Sequence, residues 1–175
     1  MHKSKYDLKY VVFLTLIPTA GILGTIWHIW NYGIVWQEPF LLLILWITTG
    51  LGITVGYHRL FSHRSFTAHP ILDWIMVIFG AAAFENSALK WCSDHRRHHK
   101  HLDTDKDPYS ITKGFFHAHI GWILINDPSP IEKVKDLQEN PALIFQDKYY
   151  YLLFIIFGLL LPVSFGFFWG RHITV

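Results

Sequence analysis

Residues 10–30, YVVFLTLIPTAGILGTIWHIW, run without a single Asp, Glu, Lys or Arg. A bilayer's hydrocarbon core is crossed by about 20 apolar residues, so this run predicts a membrane span. Pro18, Gly21 and Gly24 do not oppose it, because spanning helices tolerate both residue types. The run is too long for a secretory signal and lacks a small-residue cleavage site after it, so it belongs to the mature chain. Residues 39–57, PFLLLILWITTGLGITVGY, predict a second span entered through Pro39, and 149–169, YYYLLFIIFGLLLPVSFGFFW, a third with aromatic residues at both ends. A fourth apolar stretch, 71–84, is too short for a crossing and carries Asp73. It reads as an interfacial amphipathic helix. The expected fold is therefore an all-α integral membrane protein with about three transmembrane helices.

The expected organisation is an N-terminal segment 1–9, a transmembrane hairpin 10–57, a helical region 58–148, the third span 149–169 and a tail 170–175. Lys3, Lys5 and Lys9 precede the first span, the 31–38 loop has no Lys or Arg, and eleven lie between Arg59 and Lys148. The positive-inside rule puts residues 1–9 and 58–148 on the cytoplasmic side. Fifteen Lys and Arg against thirteen Asp and Glu leave no field that would draw nucleic acid. Cys92 is the only cysteine, which excludes an intrachain disulfide and a zinc–thiolate cluster and reads as a small buried thiol beside Trp91.

The exception to this apolar character is DHRRHHKHLDTDKDP, residues 94–108, with four histidines and four aspartates in fifteen positions. On a helix, His95, His98 and His99 sit at about 0°, 300° and 40°, so their imidazoles project to one side. His101 falls near about 240° and reads as a surface residue. His58 and His63 are five apart, about 140° round an α-helix, and converge only if the helix ends between them. Neutral imidazole is the commonest metal ligand, and histidines without cysteine favour a first-row metal. The competing readings are a cationic helix face on lipid phosphates for the triplet and a basic interfacial anchor for the pair. Asp94, Asp103, Asp105 and Asp107 either hold imidazoles by their second nitrogen or form a solvated turn; DTDKDP lacks the glycine and glutamate of a calcium loop. His117 and His119, among aromatics, read as buried and hydrogen-bonded. His28, His69 and His172 receive no role.

GYHRLFSHRSF at 56–66, DHRRHHKHLDTDKDP at 94–108 and GFFHAHIGW at 114–122 resemble the membrane fatty acyl desaturases of the acyl-CoA and acyl-lipid delta-9 type. HRLFSH is similar to that family's first histidine box and HRRHH to its second. The resemblance implies a di-iron centre held by His58, His63, His95, His98 and His99, with no catalytic residue apart from the ligands. It implies molecular oxygen as co-substrate and a cis double bond inserted into a saturated acyl chain carried on CoA or lipid. It also implies electrons from cytochrome b5 or a ferredoxin, and a place in a bacterial inner membrane or the endoplasmic reticulum. Asn86 matches a position near the acyl carbonyl and Trp91 one that lines the bend of the acyl tunnel. For Trp91, plain helix packing is the alternative.

Two departures accompany the resemblance. The family's third box, HxxHH, follows a fourth span and has no counterpart up to Val175, so the expectation is an N-terminal part of a desaturase that does not complete a di-iron site alone. Ser93 and the INDPSP stretch stand where acyl-CoA enzymes carry basic residues, which shifts weight toward a lipid-linked chain or toward CoA held elsewhere. A membrane hydroxylase with similar boxes, or a metal-binding fragment without turnover, are the alternative functions.

Overall fold

The computed structural model describes residues 6–125, 131 and 134–169. The lysines at 3 and 5, most of the INDPSP stretch, the tail and His172 lie outside the described residues. Among the described residues the chain is helical, with no strand beyond one isolated antiparallel bridge, Tyr6 to Ile125. Three helices are long and apolar enough to cross a membrane: Leu8–Tyr32, Gln37–Ser62 and Tyr150–Phe168. The protein is an all-α membrane protein.

The chain divides into two compact units, Met1–Val35 with Arg97–Pro130, and Trp36–Arg96 with Ile131–Val175. In the first unit, α1 (Leu8–Tyr32) starts at Asp7, whose carboxylate accepts the Lys9 N–H at 3.0 Å. None of its residues is buried, as expected of a helix whose solvent is lipid. Two of its threonines turn their hydroxyls back on the helix, Thr15 to the Val11 carbonyl at 2.8 Å and Thr19 to the Thr15 carbonyl at 2.6 Å. These two hydroxyls are thereby not left to face hydrocarbon unpaired. After the last turn of α4 this unit continues through a polar loop, a short 3₁₀ turn, α5 (Phe115–His119) and a second 3₁₀ turn, Gly121–Leu124.

In the second unit, the second span begins as α2 (Gln37–Leu51) and continues without a break as a π-helix, Gly52–Ser62. The sequence puts the end of this span at Tyr57. The helix runs on to Ser62, because its π-wound turns pack as protein core and not against lipid: Gly52, Gly56, Tyr57, Leu60, Phe61 and Ser62 are all buried. What they pack against is α3 (Pro70–Ala82), opened by His69, whose ring accepts the Ile71 N–H. At 13 residues it is about 20 Å long, short of a crossing. Far from lying apart, α3 buries Met76, Val77, Gly80 and Ala81 against the π segment and, on its other sides, α6 (Pro141–Lys148) and α7 (Tyr150–Ile155). Gly80 is obligatory there: a Cβ on it would lie 2.2 Å from the Tyr57 ring. The third span runs from α7 through a π turn, Ile156–Leu160, into α8 (Leu161–Phe168), the π turn preceding a proline that has no N–H to give.

Candidate metal centre

The π winding aligns His58 with His63. A π-helix bonds each N–H to the carbonyl five residues back, and the His63 N–H does this to the His58 carbonyl at 3.0 Å. The helix also ends between the two residues, at Ser62, and Arg64 at φ +50° turns the chain away at once. Two residues about 140° apart on an α-helix thus share one face here. Their rings meet His95, which α4 (Ala88–Lys100) carries. The Nε2 of His63 lies 3.2 Å from the Nε2 of His58 and 3.0 Å from the Nε2 of His95.

Those distances test the fit to a metal. One ring nitrogen has either one N–H or one in-plane lone pair, so His63 Nε2 satisfies one such neighbour well but not both. Two imidazole nitrogens bound at right angles to one cation, each at about 2.1 Å, stand about 3.0 Å apart. The three nitrogens therefore have the spacing of ligands to a shared first-row cation. His99 is one turn beyond His95 on the same continuous helix.

Two devices, both in the second unit, hold the π segment against α4. At one end, Arg96 donates from Nε to the Ser62 carbonyl at 3.1 Å and from a terminal nitrogen to the Phe61 carbonyl at 2.7 Å, carbonyls that the end of a helix leaves without partners. The same guanidinium grips Asp136 with two bonds of 2.8 and 2.9 Å, and Arg64 also pairs with Asp136. The Arg96 bonds, opposed by partial burial and aided by Arg64, hold the Asp136 carboxyl down to about 2. One carboxylate thus ties together the residues next to His63 and His95. At the other end Gln146, fully buried, donates to the Tyr57 hydroxyl at 2.5 Å and accepts the N–H of Ala88, the first residue of α4, at 2.9 Å. Cys92 is buried between these helices, and burial pushes its thiol up to about 12, an inert packing residue.

The other expected site residues are placed as follows. Trp91 stacks on His95 (centroids 4.8 Å, 28°), meets the His58 ring edge-on at 6.3 Å, and donates its indole N–H to Glu85 at 3.1 Å. Its packing is against two of the clustered histidines. Asn86 has φ +75°, donates its backbone N–H to the Tyr150 hydroxyl at 3.0 Å, and lies in the turn leading into α4. His98 has partners within the first unit. Its Nδ1 is 2.9 Å from Asp107 and its ring stacks on Tyr109 at 4.1 Å. Asp107 is fully buried and also accepts the N–H groups of Asp103 and Tyr109. Burial raises its carboxyl, but the bonds from His98 and the two N–H groups outweigh that and leave it below the ordinary range. Asp107 is thus bonded to an imidazole, and Asp94 pairs with Lys90 at 2.7 Å. His117, half-buried, bonds the Pro108 carbonyl at 3.1 Å, and His119 is exposed and stacks on Phe115, so neither is the buried residue its neighbours suggested. Asp136, Gln146 and Tyr57 were missed by sequence reading. Asp136 stands among Glu132, Glu139 and Asp147, and Gln146 near Gln138 and Asn140, with no spacing that singles either out.

A membrane-embedded helical protein with histidines clustered at the end of a span is a narrow class. Residues 34–175 match the family model described as fatty acid desaturase. An acyl-CoA Delta(11) desaturase of Choristoneura rosaceana is 38% identical over 181 residues, 95% of this chain and 53% of that protein. A sn-1 stearoyl-lipid 9-desaturase of Anabaena variabilis is 44% identical over 123 residues, 69% of this chain and 45% of that protein. A probable acyl-CoA desaturase of Schizosaccharomyces pombe is 42% identical over 134 residues, 74% of this chain and 28% of that protein. The chain belongs to the fatty acid desaturase family, and spans about half the length, or less, of these relatives.

Proposed function

We propose that this chain serves iron- and oxygen-dependent desaturation of a saturated fatty acyl chain carried on CoA or lipid, with the double bond at the delta-9 position and the histidines on the cytoplasmic side. The observation that carries the reading is the meeting of three histidines, with the His63 Nε2 3.2 Å from that of His58 and 3.0 Å from that of His95. In this reading His58, His63, His95, His98 and His99 hold iron. When bound, a di-iron centre supplies from oxygen the power to take hydrogen from an unactivated methylene, which no side chain can do.

The chain's own residues set the conditions for that chemistry. Asp107 takes His98 by Nδ1 and so leaves Nε2 as its ligand atom. Trp91 fixes the ring plane of His95 by stacking and presents an apolar indole face beside the histidines, where an acyl chain would bend. Asn86 is assigned to the acyl carbonyl end. Electrons reach the cytoplasmic face from cytochrome b5 or a ferredoxin.

Expression of the longer reading frame that carries these residues, in a yeast unable to make unsaturated acyl chains, with gas chromatography of the lipids and iron analysis of the purified protein, tests this. Monounsaturated chains that vanish in His95→Ala support it. Iron-loaded protein in the membrane with no new double bond overturns it, and hydroxylated chains would assign the hydroxylase chemistry instead.

A further inference from the structure

The first unit has a feature that metal chemistry does not use. From Gly114 to Ile125, GFFHAHIGWILI, the chain has no Asp, Glu, Lys or Arg. In the middle of a polar segment this is a long uncharged stretch, and its two phenylalanines are turned out. Phe115 is 76% exposed and Phe116 66%, the former stacked on His119 and the latter resting on the Gly121 backbone. Two polar side chains of the same region are turned onto backbone carbonyls. Lys113 donates its ammonium to the carbonyls of Asp105 and Asp107 at 3.3 and 2.9 Å, and His117 bonds the Pro108 carbonyl.

What such a pair meets is indicated by where the stretch is tied. The Asp7 N–H donates to the Leu124 carbonyl at 2.9 Å, and Tyr6 pairs with Ile125 as the antiparallel bridge. Asp7 caps α1, the first span, and the next residues are those of a membrane surface: Lys9 with its ammonium 4.5 Å over the Tyr10 ring. The end of GFFHAHIGWILI is therefore held at the level where α1 enters the bilayer, and α5 is linked to it by only one 3₁₀ turn, Gly121–Leu124. We propose that α5 and the turn after it lie in the lipid interface, with Phe115 and Phe116 inserted among the acyl chains as a second anchor for the first unit. The occupant of this apolar face is the membrane itself: uncharged side chains directed outward, a basic and aromatic rim at the same level, and a covalent and hydrogen-bonded link to a span are what an interfacial segment requires. The inference rests on the spans and is independent of the metal and of the reaction.

Cys92 makes the test direct, because a fully buried thiol raised to about 12 does not take up a label at neutral pH. The chain bearing Phe115→Cys, Phe116→Cys, Lys106→Cys or Val12→Cys, one at a time, is spin-labelled and reconstituted in phosphatidylcholine–phosphatidylglycerol vesicles. Collision with oxygen, which concentrates in hydrocarbon, is compared with collision with a water-soluble nickel chelate. The oxygen-to-nickel ratio at 115 and 116 should be several-fold above that at exposed Lys106 in the same polar loop, and approach that at Val12 within the span. A ratio at 115 and 116 equal to that at Lys106 overturns the proposal and leaves the face to a protein. If Phe116→Cys disturbs its seat on Gly121, Phe115→Cys alone decides.

Discussion

The first and second spans are of nearly equal length, 25 and 26 residues, and both are apolar, yet only the second is built for a site. α1 is α-helical throughout, and none of its residues is buried. Gly21 and Gly24 have open space where a Cβ would be. The second span changes to π winding for its last eleven residues and buries six of them. Gly52, Gly56 and Gly80 bring backbone and ring so close that no Cβ fits without displacement. Hydropathy makes the two spans alike; close packing and an unusual winding are what equip one of them to present histidines. π segments cost hydrogen-bond geometry, and they persist where surrounding contacts over-determine them.

The largest difference should appear in metal affinity. His63→Ala removes the ring that touches both neighbours and should weaken iron or cobalt binding by about 100-fold or more, since loss of a supporting residue alone costs about 10–100-fold. His28→Ala in α1 should leave the titration unchanged. Equal losses would erase the distinction. Next comes packing. Gly80→Ala forces the Tyr57 ring aside and should destabilise the protein by about 1–3 kcal/mol, read as earlier unfolding in a denaturing detergent titration. Gly21→Ala, with nothing within 4 Å, should be neutral or slightly stabilising.

The clamp should be seen in acid. Asp136, held down to about 2, contributes stability that is full above the unfolded carboxylate value and is lost as pH falls through its folded value. Between about pH 4 and pH 2 the protein should lose about 2 kcal/mol by this group, and Asp136→Asn should flatten that limb while lowering stability at neutral pH. Smallest is the hydrogen bond from Gln146. Tyr57→Phe should cost about 1 kcal/mol, and Thr15→Val, which removes only a local back-bond in α1, less than about 0.5 kcal/mol.

Much of this was legible in the sequence. Three long apolar helices end within two residues of the three uncharged runs at every end but one, because this is a local property: about twenty uncharged apolar residues have one stable solution in lipid. The exception, the exit of the second span, marks the point where burial in protein replaces burial in lipid. That α3 is too short to cross was equally readable, but not that it is the element around which the second unit packs.

What the sequence by itself determined is the membrane helices, the face shared by His95 and His99 one turn apart, and the family. These depend on spacing along one segment, which the 3.6-residue repeat converts directly into geometry. Tertiary structure decided the rest. It wound the end of the second span so that His58 and His63 align, and it drew His98 to Asp107, nine positions away and beyond the end of α4. It also chose Asp136 and Gln146, forty and eighty-nine residues from the groups they hold, as the ties between two helices. Partners at such separation are selected by which buried polar groups need one, and that demand exists only once the helices have packed.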